Sequence, residues 1–182
     1  MNNNNLIINQ RASVVVEVAL IVPAILFLLL AGVTLANIVQ LTRATDRVAA
    51  LLADDISLRP MLDEADFDTA LAAAAGLIDG SGFPAQIRLD IKAVEIDPGS
   101  SSTVIWVRNR GNGGEDCAPA DPVLFAPGEG MTATGLLHFV QVDLCTTPTA
   151  GFFLSGFLSV ADFTIHGRAF AVGRKAAIRS LE

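Results

Sequence analysis

The chain has 182 residues, a net charge of −7 and a hydrophobic fraction of 52% against 17% charged. That composition excludes a disordered chain, and the acidic balance excludes a protein that wraps nucleic acid through its phosphates. A positive mean hydropathy of +0.52 in so small a chain requires one contiguous apolar element.

That element is Val18–Thr42, which holds 25 residues and no charge. As a helix it spans about 37 Å at about 1.5 Å per residue, more than a hydrocarbon core of about 30 Å. Nothing comparable recurs, so the sequence predicts a single membrane pass with a short N-terminal side. Arg11 is the only charge before Glu17, and basic residues favour the cytoplasm. Three fates fit the segment: a secretory signal cut after Thr34-Leu35-Ala36, a permanent anchor, or a leader cut on the cytoplasmic side. The apolar run continues to Leu41 and its basic flank is thin, which argues against the first. Glu17 at the head of the run and Pro23 inside it distinguish the third from a plain anchor. A carboxylate in hydrocarbon costs about 2.5–3.5 kcal/mol and so seeks a partner. A proline removes one helical hydrogen bond.

The run Arg11-Ala12-Ser13-Val14-Val15-Val16-Glu17-Val18-Ala19-Leu20-Ile21-Val22-Pro23 resembles the N-terminus of TadE/TadF-like minor pseudopilins. These belong to the tight-adherence (Flp-type) branch of the type IV pilus and type II secretion superfamily. The resemblance implies a prepilin-peptidase cut between Ala12 and Ser13, with Glu17 fifth and Pro23 eleventh after it. Ala12 stands where the family usually has glycine, and Val18 where it usually has phenylalanine. The resemblance further implies that Glu17 pairs with the freed amine of Ser13, on its own or a neighbouring subunit, and sets the register of packed helices. Its expected partners are the membrane, other pilins or pseudopilins, the inner-membrane assembly platform and prepilin peptidase. It implies no cofactor and no catalytic role. The expected location is the bacterial inner membrane, with the N-terminus cytoplasmic and the C-terminal domain periplasmic or in a pilus.

Beyond the apolar run, Leu41, Ala44, Val48, Leu51 or Leu52, and Ile56 form one stripe at helical spacing. One long helix therefore continues from the membrane into an exported domain until Arg59-Pro60 ends it. A second helix is expected from about Asp63 to Ile78. Acids Asp63, Glu64, Asp66 and Asp68 favour its positive end, and Phe67, Leu71, Ala74, Ala75 and Ile78 form its apolar face. Asp79-Gly80-Ser81-Gly82 stops it. The period then changes to two. Ile87, Leu89, Ile91 and Ala93 alternate with Arg88, Asp90, Lys92 and Val94. A turn at Asp97–Ser101 leads to a second strand at Thr103–Val107. Asn109–Pro127 reads as a loop, and strands follow at Leu136–Leu144 and Asp162–Val172. The Ile105-Trp106-Val107-Arg108 run and this strand order also resemble the exported half of TadE/TadF-like proteins.

The predicted fold is α+β and pilin-like: a long N-terminal transmembrane helix, a second helix, and an antiparallel sheet of about four strands. Residues 1–12 form the leader, 13–57 the membrane and amphipathic helix, and 58–182 the exported domain. One sheet face is expected to bury the helix stripe and the other to face water.

Cys117 and Cys145 in an exported domain are most simply a disulfide, worth about 3–4 kcal/mol through loop closure. Free thiols or a Cys/His metal site are the alternatives, and the lack of C-x-x-C spacing weakens them. His138 and His166 fall on strands. A Cys145–His138 nucleophile and base would make the chain an exported enzyme, the weakest of the readings; no G-x-S-x-G or H-E-x-x-H supports it. Phe152, Phe153 and Phe157 form an apolar connection that suits a partner subunit, the bilayer surface or the core. The tail carries Arg174, Lys175 and Arg179. A second functional reading is an uncleaved, anchored periplasmic binding or scaffold domain.

Overall fold

The computed structural model describes residues 4–59, 62–80, 85–96, 102–111, 117, 137–149 and 163–173; side chains are described from residue 16 onward, that of 137 apart. The fold is α+β. Helix α1 (Asn4–Leu58) and helix α2 (Glu64–Asp79) precede β1 (Ala85–Ile96), β2 (Ser102–Gly111), β3 (Leu137–Pro148) and β4 (Ile165–Val172). The four strands form one antiparallel sheet in the order β2-β1-β3-β4. The Phe152, Phe153 and Phe157 connection, the Asp97 turn, the basic tail and most of the loop after β2 lie outside the described residues.

α1 is continuous over 55 residues, about 82 Å at the helical rise. Pro23 lies inside it, so the Ala19 carbonyl loses its helical donor there without ending the helix. Thr34, Thr42 and Thr45 each donate their hydroxyl to the carbonyl four residues earlier, at 2.9 Å. These three hydroxyls thus need no water.

The domain half of α1 buries Leu41, Thr45, Val48, Ala49, Leu52, Ala53 and Ile56. Of the two leucines that suited the stripe, Leu52 enters the core and Leu51 is left 51% exposed. α1 lies across β4 and β3, while α2 packs on α1, β1 and β2. The core between helices and sheet adds Phe67, Ala70, Ala74 and Ile78 from α2, Leu89, Ile91 and Ala93 from β1, and Val140, Val142 and Leu144 from β3.

Asp63 caps α2 in a capping box, its carboxylate accepting from the Asp66 amide while Asp66 accepts from the Asp63 amide. Gly80 ends the helix in a right-handed conformation, its N–H returning to the Gly76 carbonyl at 3.1 Å. The acids of the first turns also tie α2 to the sheet. Glu64 accepts from Arg108 at 2.8 Å and from Arg110, and Asp68 accepts from Arg110 at 2.7 Å. Phe67 meets Trp106 edge-to-face at 5.7 Å.

β1 and β2 extend further than the period alone suggests. β2 runs on to Gly111, and Asn109–Gly111 are strand rather than loop. Gly111 has φ +97°, and a Cβ there would lie 2.2 Å from the Ile87 carbonyl oxygen, so the strand end requires glycine. β3 likewise extends to Pro148, and β4 begins at Ile165.

The second sheet face corrects the sequence reading. Asp90 (2% exposed), Lys92 (7%), Gln141 (0%) and Asp143 (3%) are buried there, not solvated. Their register explains how the two aspartates are tolerated. Asp90 pairs across the sheet with Asp143, which pairs with Arg168. Arg168 Nε donates to Asp143 at 2.5 Å, Gln141 Nε2 donates to its other oxygen at 2.6 Å, and Arg88 Nε donates to Asp90 at 3.2 Å. Alternation correctly separates the two faces; it does not distinguish a wet polar face from a buried, paired one.

The closest approach of helix to sheet is at Gly167. A Cβ on Gly167 would lie 2.9 Å from Thr45 Cγ2 and 3.0 Å from the Thr45 backbone. Thr45 also reaches Thr146 across 3.2 Å, hydroxyl to hydroxyl. Gly167→Ala should lower unfolding free energy by about 1–3 kcal/mol. Gly76→Ala, inside α2 with open space around it, should raise it by about 0.5–1 kcal/mol. Denaturant titration of the detergent-solubilised chain checks both; no loss in Gly167→Ala would mean that α1 is free to lift from β4.

Hydrogen bonds from Arg108, then Arg110, hold the Glu64 carboxyl below its ordinary value of 4.5. The contribution of these pairs is complete above that value and is lost as pH falls through the lowered one. Between about pH 5 and pH 3, amide protection in α2 should fall more in the parent chain than in Glu64→Gln. Equal losses would show that α2 docks independently of this carboxylate.

Candidate functional site

Two regions carry the chemistry singled out by the sequence: the bare half of α1 and the corner around Cys145.

Among the described residues, one helix is long and apolar enough to cross a membrane, Val16–Leu58 within α1. Its first half has no partner surface in the domain. Val18, Leu20, Ile21, Ile25, Leu26, Phe27, Leu28, Leu29 and Val33 are all at least half exposed. A soluble chain rarely exposes so large a contiguous apolar surface, since each buried apolar Å² is worth about 25 cal/mol. Glu17 sits on this surface one residue before the apolar run and is itself exposed. Pro23 lies six residues further along the same helix. The Ala12–Ser13 bond lies within α1, while the side chains of Arg11, Ala12 and Ser13 are outside the described ones.

The covered stripe begins before the apolar run ends. Leu30 and Ala31 are half-buried, Thr34 is buried, Ile38 is half-buried and Leu41 is fully buried. The steps are three or four residues, so they share the face that continues through Thr45 and Val48. The covered stripe thus runs from the bare half into the domain half along one face of one helix.

Cys117 and Cys145 form a disulfide with Cα atoms 5.5 Å apart, and no cysteine is free. Cys145 lies on β3, on the sheet face opposite the helices, between Arg88 of β1 and His166 of β4. Imidazole Nδ1 of His166 lies 3.0 Å from Cys145 Sγ and 3.2 Å from the Cys117 carbonyl oxygen. That carbonyl is the better acceptor, which assigns the Nδ1 proton as the donor. Cys117, Asp143, His166, Gly167 and Arg168 line a small depression here.

The arrangement alters two sequence expectations. The neighbour of Cys145 is His166, not His138. His138 instead sits opposite Glu95, with Nδ1 3.5 Å from its carboxylate. Cys117, Cys145 and His166 also bring three potential metal ligands within 4.8 Å of one another. Metal binding and nucleophilic attack both require a thiolate, and sulfurs bonded to each other supply none. In this state the corner is a covalent tie between β3 and the loop after β2. The His166 contact was not legible in the sequence, because it depends on the cross-strand register of β3 and β4.

Replacing both cysteines with alanine should lower unfolding free energy by about 3–4 kcal/mol, for a closed loop of sequence separation 28. Parallel denaturant titrations with and without reductant check it. A loss below about 1 kcal/mol would mean that the loop is held by other contacts.

No protein-family model, no curated protein and no solved structure matches this chain.

Proposed function

We propose that the chain is a membrane-inserted, non-enzymatic assembly subunit of the minor pseudopilin kind. α1 docks its bare half among the helices of neighbouring subunits, and the sheet domain is held on the exported side. The observation that carries this reading is the division of one unbroken helix. Its first half is apolar around its whole circumference, and its second half is the spine of the domain. A secretory signal would be separable from the domain; here the covered face runs from Thr34 into the core without interruption. Glu17 then acts at the head of the apolar run, pairing with an N-terminal amine at Ser13 and fixing the axial register of packed helices. Prepilin peptidase, other pilins and an inner-membrane platform are the partners this role requires. The disulfide suits a periplasmic domain, and orientation follows from Arg11 on the cytoplasmic side.

Ala12 in the position before the cut favours a second form of the same molecule, an uncleaved anchor bearing a periplasmic scaffold domain. N-terminal sequencing of the protein from its native membrane separates the two. A chain beginning at Ser13 supports the processed subunit, and one beginning at Met1 supports the anchor. A chain beginning near Asn37 overturns both. Glu17→Ala lies far from the core and should leave domain stability unchanged, while co-purification of other pilin-type subunits falls at least about tenfold, the effect of losing one charge pair in hydrocarbon. Undiminished co-purification would remove Glu17 from assembly.

A further inference from the structure

The described arginines of the domain divide into two groups. Arg59, Arg88, Arg108, Arg110 and Arg168 each pair with a carboxylate. Arg43 and Arg47 pair with none, although the chain carries a net charge of −7. These two are also the nearest to the apolar run. Arg43 follows Thr42 directly and Arg47 lies one helical turn beyond it.

Their depth is fixed by the helix. α1 is unbroken, so Arg43 and Arg47 lie about 1.5 and about 7.5 Å beyond Thr42 along its axis. A headgroup layer is about 5–7.5 Å thick on each side of the hydrocarbon. Helical side chains lean toward the N-terminus, here toward the bilayer. With the hydrocarbon ending at Thr42, both guanidinium groups reach the level of lipid phosphates. They share a helix face at a spacing of four, where like charges repel unless an anion lies between them. With Ala44, Val48, Leu51 and Leu77 they line a groove between α1 and α2. Asp46, exposed beside them, forms no ion pair with either.

We propose that Arg43 and Arg47 clamp the phosphate of an anionic phospholipid headgroup on the exported side of the bilayer, at the mouth of this groove. The site rests on the membrane-spanning reading of α1. It also answers an electrostatic problem. A domain this acidic is repelled by an anionic lipid surface, and the two unpaired arginines at the helix exit reverse the local sign where the two meet. An acidic protein partner would suit the charge equally but not the depth.

The full-length chain is reconstituted in phosphatidylcholine vesicles containing a trace of spin-labelled phosphatidylglycerol or spin-labelled phosphatidylcholine. The motionally restricted fraction reports which lipid sits against the protein. Phosphatidylglycerol should be enriched several-fold, up to about fivefold for each arginine, and the enrichment should shrink as salt rises from about 0.05 to 0.5 M. Arg43→Gln with Arg47→Gln should abolish the preference, and Arg43→Lys with Arg47→Lys should keep most of it. Trp106 fluorescence confirms that each variant is folded. Equal association of the two lipids with the parent chain overturns the proposal. So does a preference that survives the double glutamine variant. Loss of an acidic protein from the variant, with no lipid preference in the parent, overturns it in favour of a protein ligand. Release of the chain by carbonate overturns the membrane reading itself, and is read separately from lipid preference.

Discussion

Everything in this fold depends on one unbroken helix whose first half is bare and apolar and whose second half is the spine of the domain. A helix satisfies its own backbone hydrogen bonds, so it is one of the few structures that can enter hydrocarbon. The same helix can also serve as a core element, provided that its apolar surface narrows from the full circumference to one stripe. α1 makes that change between about Thr34 and Leu41. Beyond it, Thr45, Val48, Leu52 and Ile56 are buried while Asp46, Arg47, Asp54 and Asp55 face out. Arg59 then bonds Asp55 at 2.7 Å and also reaches Asp66, so the turn into α2 is pinned by one guanidinium shared between the two helices. The position of the sheet is set by where α1 crosses it.

That crossing is at Gly167 and Thr45, and it explains a choice of residues that the sequence does not explain. β4 carries Ile165, Gly167, Ala169 and Ala171 toward the helix, mostly small side chains on a strand that packs under α1. Small residues let the helix backbone come down onto the strand, and the larger volume of the core moves to β1, β3 and α2. Phe67 lies under Trp106 at the other end of the core, with the Arg110 guanidinium 5.9 Å from its ring. The helix layer is thus thin at β4 and thick at β2.

The apolar run, both helices, all four strands and the face of the sheet that receives the helices were legible in the sequence. Each rests on a local pattern: 25 uncharged residues, a period of 3.6, a period of two, or a proline or glycine at a boundary. What was not legible depends on pairs distant in the chain. Leu51 and Leu52 suit the stripe equally until α2 is placed, and then only Leu52 is covered. Arg88, Asp90 and Lys92 look like a solvated strand face, yet they belong to a central strand: β3 brings Asp143 beside Asp90, and β4 brings Arg168 beside Asp143. The pairing of Cys145 with His166 follows from the β3–β4 register, and nothing near either residue in the sequence announces it.

The buried polar face bears on the functional reading. Asp143 is held by both Arg168 and Gln141, and its neighbour Cys145 is held by the disulfide. A buried carboxylate deprived of its arginine costs about 3–5 kcal/mol, and the closed loop adds about as much again. In this layer Asp90 and Asp143 are each bonded by an arginine, and the two sulfurs are bonded to each other. The layer ties β1, β3 and β4 together on the face away from the helices. For the proposed assembly role, a register set at Glu17 would reach the domain only through α1. From Glu17 to Thr45 the helix rises about 42 Å without a break in its described backbone. The charge that would set the subunit in the membrane and the contact that seats the domain are therefore two points on one rod.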